Sequence, residues 1–278
     1  VTPRVSVVVP TYNNADHIAA TMRSILQQSF ADFELIVSDH ASTDGTWELL
    51  QQFSHDPRIH LERISSGGGA ERNWNHVSSM ASAPLLKLVC GDDLLDPECL
   101  VLQVQAVDRG GAGVVMVAGR RDIVDARGAV VTRARGLPRM KGRVSGSDAV
   151  RRTIRSGTNV FGEPCAVLLR RDALEAVGGW EGTHGYVIDL ATYVKVLACG
   201  DLIALEDAVA SFRLSAGQWS VRLLAEQVGQ VDSLRRTVAT LYGADFALTR
   251  ADLLTGAVAT RVQARKRRLA YQVLARRL

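Results

Sequence analysis

The chain has 278 residues, 47% hydrophobic, 22% charged and 5% aromatic, with 24 Gly and 7 Pro. That composition excludes disorder, a collagen repeat or a coiled coil as a description of the whole, and the length fits one large domain or a domain with an appendage. Net charge is +4, but residues 261–278 alone hold Arg261, Arg265, Lys266, Arg267, Arg268, Arg276 and Arg277 and no acid. The remainder therefore sums to −3, which excludes a basic body that grips nucleic acid over a broad face.

Val5–Val9, four valines in five residues between Pro3 and Pro10, reads as a strand buried on both faces. Ile18, Met22, Ile25 and Leu26 then share one helix face, with Asn13 or Asn14 as cap and Asp16 in the first turn. Glu34–Ser38 is a second strand. Thr43-Asp44-Gly45 is a turn before a helix at Trp47–Leu50. Ile59–Ile64 alternates as a third strand, Ala70–Ser82 is a helix, and Leu85–Cys90 a fourth buried strand. A helix from Asp96-Pro97 to about Asp108 leads to a strand at Val114–Val117. Strand and helix alternating at about 30-residue spacing predict βαβ units and a mostly parallel, Rossmann-like sheet with helices on both faces.

Residues 120–160 are rich in Arg and Gly and predict loops with a short hairpin. Ala166–Leu169 reads as a strand, Asp172–Val177 as a helix stopped by Gly178-Gly179, Asp189–Ala198 as a helix stopped by Gly200, and Leu202–Leu205 as a short strand. From Ser220 the apolar positions Leu223, Leu224, Val228, Val231, Leu234 and Val238 keep helical spacing, which predicts an α-helical extension to the end. Cys90, Cys99, Cys165 and Cys199 form no C-x-x-C pair and read as buried thiols of a reducing compartment. No apolar run approaches the roughly 18–20 residues of a spanning helix. The stretch before Pro10 is too short for a signal peptide, so a cytoplasmic location is expected.

Ligands of such sheets bind beyond the carboxyl ends of the strands. The segments there are Pro10-Thr11-Tyr12-Asn13, Asp39-His40-Ala41-Ser42, Ser65 to Gly69 and Gly91-Asp92-Asp93. Adjacent carboxylates after a buried strand suit Mg²⁺ or Mn²⁺, which bridge to phosphate oxygens; the plainer alternative is that Asp92 or Asp93 caps the next helix. Asp44 fits a turn or cap. Asp39 is placed either to cap or to accept from a base N–H. Gly67-Gly68-Gly69 before a helix is either a phosphate-approaching loop or a plain one, and it does not match G-x-G-x-x-G, since Arg72 takes the third glycine's place.

Together, Val5 to Asn13, then Asp39-x-x-Ser42-Thr43-Asp44-Gly45-Thr46, Ala70-x-Arg72-Asn73 and Gly91-Asp92-Asp93-x-x-x-Pro97 closely resemble family 2 glycosyltransferases, inverting enzymes of the GT-A fold. Gly178-Gly179-Trp180-Glu181 followed by Asp189, and Phe212-Arg213 with Ser220, resemble the family's acceptor half. The resemblance spans about residues 4–220. It implies a transferase domain at 1–219, with a nucleotide-binding half to about 110 and an acceptor half from 111, followed by a basic helical extension at 220–278. It also implies roles. Pro10, Thr11, Tyr12 and Asn13 would line the nucleotide pocket, Asp39 would accept from the base, and Arg72 would lie near base or diphosphate. Asp92 would meet ribose or sugar, Asp93 the divalent ion, and Asp189 would be the base for the acceptor hydroxyl. Departures are His40 where many members have a second Asp, Cys90 in place of the metal motif's first carboxylate, Ile188 in place of Glu, and no pocket His after Arg213.

Transfer from a nucleoside diphosphate sugar, with UDP or dTDP favoured, needs charge stabilised on the leaving diphosphate and one base on the opposite face of the sugar. Asp189 is alternatively a helix N-cap. A nucleotidyltransferase or a non-catalytic nucleotide-sugar-binding module are the competing classes; the former should carry a basic Gly-rich first loop, and the latter has no need of Asp93 and Asp189. The acceptor is expected to be a hydroxyl of a lipid-linked or cell-envelope glycan. In 261–278, Val262, Leu269, Ala270, Val273 and Leu274 fall on one helix side, flanked by arginines. That helix either packs its apolar stripe on the body or lies on an anionic membrane surface.

Overall fold

The computed structural model describes residues 2–214 and 225–274. Ser220, Leu223, Leu224, Arg276, Arg277 and the side chain of Leu274 lie outside the described residues, as does the expected boundary at 219/220. The first half alternates as the sequence predicts: β1 (Val5–Thr11), α1 (Ile18–Leu26), β2 (Phe33–Asp39), α2 (Thr46–Gln51), β3 (Ile59–Arg63), α3 (Gly69–Ser79) and β4 (Leu85–Leu88). After β5 (Leu94–Leu95) and α4 (Cys99–Gly110) come β6 (Val114–Val124), β7 (Val130–Arg135), β8 (Gly142–Val144) and α5 (Gly146–Ser156). The chain continues through β9 (Val167–Arg170), α6 (Arg171–Ala176), α7 (Ile188–Leu197) and β10 (Asp201–Arg213), and ends in α8 (Gln227–Tyr242) and α9 (Arg250–Leu274).

One sheet runs β3-β2-β1-β4-β9-β6-β10-β5, with β7 beside β6 and β8 beside β10. It is parallel across β3-β2-β1-β4. Beyond β4 it is mixed, because β9 enters antiparallel between β4 and β6, while β10 is parallel to β6. Alternation in β1 divides its valines: Val7 and Val9 pack with α1 residues Ile18, Met22 and Ile25, and Val8 packs on the other face with Val77 of α3. Each such fully buried side chain contributes about 1.5–3 kcal/mol, so the parallel half is a rigid base for the loops at its carboxyl edge. Buried Lys87 of β4 is held there by two hydrogen bonds: its Nζ donates to Gln103 Oε1 (2.9 Å) and to the Cys165 carbonyl (2.5 Å).

Several expectations are corrected. Residues 120–160 hold more than loops, since β6 runs on to Val124 and α5 spans eleven residues. The α5 helix is capped by Ser145, whose hydroxyl accepts from Asp148 N (3.1 Å), and closed by Gly157 at φ +63°. Its apolar face is only Ala149, Val150 and Ile154, set among arginines. The strand expected at Leu202–Leu205 is thirteen residues long; Glu206 and Asp207 interrupt its apolar run where the pairing with β6 shifts register. Neither Asn13 nor Asn14 caps α1 through its side chain, and Asp16 precedes the helix. Cys199 is exposed and Cys90 only partly buried, whereas Cys99 and Cys165 are buried.

Candidate active site

The register of β1, β2 and β3 puts Thr11, Asp39 and Arg63 in one row at the carboxyl edge. Asp39 is fully buried; its Oδ2 pairs with Arg63 Nε at 3.1 Å and accepts from Ser42 N, while its Oδ1 has no hydrogen-bond partner among the described residues. Asn73 of α3 locks this edge by donating to the carbonyls of Thr11 (3.3 Å) and Ser38 (3.2 Å). The Asn13 backbone adopts φ +51°, and Asn13 exchanges hydrogen bonds with the β2–α2 turn through Ser42 and Thr43. Asp44 holds that turn, accepting from Thr46 and from Ala15 N.

A cleft of about 1420 Å³ opens along this edge. Pro10, Thr11, Tyr12, Asn13, Asp92, Asp93 and Asp189 line it, so one cavity gathers residues 180 positions apart. Asp39 and Arg72 are not on its wall. Arg72 instead wraps its own loop, donating to the carbonyls of Ser65, Ser66 and Gly67. Tyr12 stands half-exposed at the mouth, edge-on to His40, whose Nε2 meets the Gly67 carbonyl at 2.8 Å.

Gly91 is required where it stands, because a Cβ would lie 2.6 Å from Thr11 Oγ1 and 2.8 Å from Asn14 Oδ1. Neither Asp92 nor Asp93 caps α4, whose N-cap is Glu98; Asp96 holds the turn before it by accepting from Glu98 N. Arg213, at the end of β10, fixes the pair: its N–H donates to Asp93 Oδ1 (3.1 Å) and its Nε to the Asp92 carbonyl (2.9 Å). Asp93 Oδ2 is buried and has no hydrogen-bond partner among the described residues. Burial and the Asp92 charge push the Asp93 carboxyl well above its ordinary range. Burial and the charges of Asp93 and Asp92 likewise push the Cys90 thiol up, which keeps it protonated. Among the described residues, no three of His, Cys, Asp and Glu converge on a metal-sized site.

At the far end, Asp189 lies in the first turn of α7 and is not its N-cap, which is Val187. Its Oδ1 accepts from Leu190 N (2.7 Å) and its Oδ2 from Asn159 Nδ2 (2.7 Å). Burial, opposed by those hydrogen bonds and reinforced by the Glu163 charge, pushes this carboxyl up to about 7. Glu163 itself pairs in bidentate fashion with buried Arg121, at 2.5 and 3.0 Å. Burial alone would raise Glu163, but Arg121 prevails and holds it low.

The turn before α7 is braced by the C-terminal helices. Tyr186 N donates to Gln230 of α8 (2.6 Å), and Arg267 of α9 reaches the Tyr186 hydroxyl, Gln227 Oε1 (2.6 Å) and Thr158 Oγ1 (3.1 Å). Asn159, Glu163, Arg121 and Arg267 are residues that reading the sequence does not single out. The polar Asn159 to Pro164 stretch between a helix and a strand is the one signal there.

Residues 6–178 match the family model described as Glycosyl transferase family 2. Among curated relatives, the putative teichuronic acid biosynthesis glycosyltransferase TuaG of Bacillus subtilis is 36% identical over 37% of this chain and 41% of TuaG. Thus the chain spans about two fifths of that relative's length. Among solved structures, residues 1–349 of Staphylococcus aureus TarS, with UDP-GlcNAc, superpose with TM-score 0.64 at 17% identity, covering 92% of this chain and 79% of the other. TarS is named a poly(ribitol-phosphate) beta-N-acetylglucosaminyltransferase. The mannosyltransferase PcManGT from Pyrobaculum calidifontis, in complex with GDP-Man and Mn²⁺, gives TM-score 0.60 at 18% identity over 99% of this chain and 81% of its own.

Proposed function

The chain belongs to glycosyl transferase family 2 and is a glycosyltransferase of GT-A type fold, and from that premise we propose that it transfers a sugar from a nucleoside diphosphate sugar to an acceptor hydroxyl with inversion. Membership sets aside the nucleotidyltransferase and the non-catalytic module. The observation that carries the reading is the single cleft that joins the β1 edge, Asp93 and Asp189.

Pro10, Thr11, Tyr12 and Asn13 bind the nucleotide, and Asp39 Oδ1 accepts from the base N–H. Arg72 acts by fixing the Ser65–Gly69 loop. Asp92 meets the ribose or sugar. The residues present fit a divalent ion, Mg²⁺ or Mn²⁺. The buried Oδ2 of Asp93 has no hydrogen-bond partner among the described residues and would give up its proton on binding the ion; such ions take one or two protein carboxylates with phosphate oxygens and water completing the shell. Bound there, the ion would stabilise charge on the departing diphosphate as a Lewis acid. Asp189 takes the acceptor proton, and a carboxyl at about 7 is matched to that task near neutral pH. Asn159 orients it. One base and no covalent intermediate correspond to a single inverting displacement.

UDP is the favoured nucleotide, supported by the UDP-GlcNAc of the TarS structure, with dTDP next. The teichuronic acid and poly(ribitol-phosphate) of the relatives' names support a cell-envelope glycan as acceptor. We read residues 1–219 as the transferase domain, its halves meeting at the cleft, and 220–278 as an extension that walls the acceptor end.

That extension also docks on membrane. No helix among the described residues is long and apolar enough to cross one. However, α9 buries Asp252, Thr260 and Ala264 and turns Leu254, Val258, Val262, Leu269 and Val273 outward, each 42–73% exposed. The helix therefore packs on the body through the face opposite to the apolar stripe read from the sequence. Exposed Arg261, Arg265 and Arg268 border the stripe. Arg261 also lies 3.7 Å from Asp232 of α8, which leaves Arg265 and Arg268 as the cations beside an apolar band that fits an anionic bilayer at the cytoplasmic face. A thermal-shift panel of UDP-, dTDP- and GDP-sugars with and without Mn²⁺ tests the donor reading. One nucleotide class should stabilise the protein, and more so with the metal; no shift with any of them would refute the reading.

A further inference from the structure

The acceptor end of the cleft holds cations in excess of what the donor's diphosphate requires. Arg135 of β7 and Lys266 and Arg267 of α9 all line it. Arg121 is there too, but Glu163 neutralises it. No carboxylate among the described residues lies within salt-bridge distance of Arg135, Lys266 or Arg267. Arg267 has only neutral acceptors, the Tyr186 hydroxyl, Gln227 Oε1 and Thr158 Oγ1, and its guanidinium lies 5.6 Å over the Tyr186 ring. The side chains of Arg135 and Lys266 make no hydrogen bond among the described residues. Partial burial and the charges of Arg121 and Arg267, opposed by that of Glu163, hold the Arg135 guanidinium below its ordinary value.

This group lies beside the proposed base. Arg267 is held by Thr158 and Asp189 by Asn159, consecutive residues of one loop. Converging cations in a cleft repel one another unless an anion joins them, and guanidinium forks match phosphate oxygens in pairs. Three positive charges suit the charge density of a phosphate better than that of one carboxylate.

We propose that Arg135, Lys266 and Arg267 form an acceptor subsite for a phosphate group carried close to the hydroxyl that is glycosylated, a reading that rests on Asp189 being the acceptor-side base. The phosphate belongs either to a soluble polyol phosphate or to a lipid headgroup, and the same three cations serve both.

The test uses the full chain with UDP and Mn²⁺ present. Ligand-observed NMR follows binding of glycerol 1-phosphate, with glycerol as neutral control, and displacement of the bound probe by phosphatidylglycerol vesicles. Glycerol 1-phosphate should bind at least tenfold more tightly than glycerol. The Arg135→Gln, Lys266→Gln double variant breaks no hydrogen bond or ion pair among the described residues and should weaken it tenfold or more. Arg267→Lys, which keeps the charge but not the fork, should weaken it less. Displacement by vesicles assigns the lipid source and its absence the soluble one; either agrees with the subsite. Equal binding of phosphate and glycerol, or an unaltered affinity in the double variant, would overturn it. Because binding is read without turnover, failure here leaves Asp189 untouched. Conversely, full transfer activity in Asp189→Asn with intact phosphate binding would refute the base, and with it the site's assignment to the acceptor, while leaving a phosphate site in the cleft.

Discussion

Asp93 carries the least compensated carboxylate of the cleft. One oxygen accepts from Arg213 N and the other has no partner among the described residues. Asp93→Ala should therefore abolish the Mn²⁺-dependent part of UDP or dTDP binding in calorimetry, a loss of tenfold or more; unchanged metal dependence would remove Asp93 as ligand. Asp189 makes a prediction about pH. Its carboxyl is raised to about 7, so it is protonated and inactive as a base below that value. The kcat/KM should climb with pH through about 7 and then level off, and a flat profile between pH 5.5 and 8 would count against it. Asp93 stood out in the sequence because it follows a buried apolar run, and Asp189 because it follows the Gly178-Gly179-Trp180-Glu181 motif of the resemblance. Asn159, Glu163 and Arg121 were not, because the stretch that holds them has no apolar periodicity to frame it. Arg267 reaches the site from a helix whose basic residues read as merely solvated.

At the scale of elements, α9 shows how a helix is docked by its polar start. Thr249 and Asp252 bond reciprocally: Asp252 Oδ2 accepts from Thr249 N (3.0 Å), and Thr249 Oγ1 accepts from Asp252 N (3.2 Å). This is the geometry of a capping box. The same buried carboxylate pairs with Arg151 (2.9 Å) and Arg155 (2.6 Å) of α5. Asp252→Ala removes the cap and leaves two half-exposed arginines unpaired, at a cost of about 2–3 kcal/mol. An unfolding free energy from urea, by linear extrapolation, within about 0.5 kcal/mol of native would contradict that. Periodicity predicted α9 as a helix and left its apolar stripe either packed on the body or on a membrane; the exposed stripe overturns the first alternative. Small residues, Gly256, Thr260 and Ala264, allow close approach to α5, and that face carries too little hydrophobicity to stand out in the sequence. The same bias hid α5, whose short apolar stripe lies between arginines, and truncated β10 at its register shift. The parallel strands β1, β2 and β4 were read correctly because burial on both faces leaves them as largely apolar runs, whereas half-buried β3 was read from its alternation.

Over the whole molecule, the cleft lies between the parallel half, which presents the nucleotide site, and a wall built from α7, α8 and α9. On the proposed membrane contact, the outward stripe of α9 would set that wall against a bilayer. Liposome co-sedimentation at low salt should show binding to phosphatidylglycerol vesicles and not to neutral ones, with loss at high salt. Exchanging exposed Leu254, Val258, Val262 and Leu269 for Gln, which disturbs no packed face, should release the protein; native protein left in the supernatant with anionic vesicles would exclude the membrane contact. The division of labour across the cleft is tested most directly by release of nucleoside diphosphate from donor and acceptor, measured for native protein and Asp189→Asn at equal donor saturation. Asp189→Asn should bind donor as native does and release diphosphate about 100-fold more slowly or worse, whereas near-native release would contradict a mechanism with Asp189 as its base.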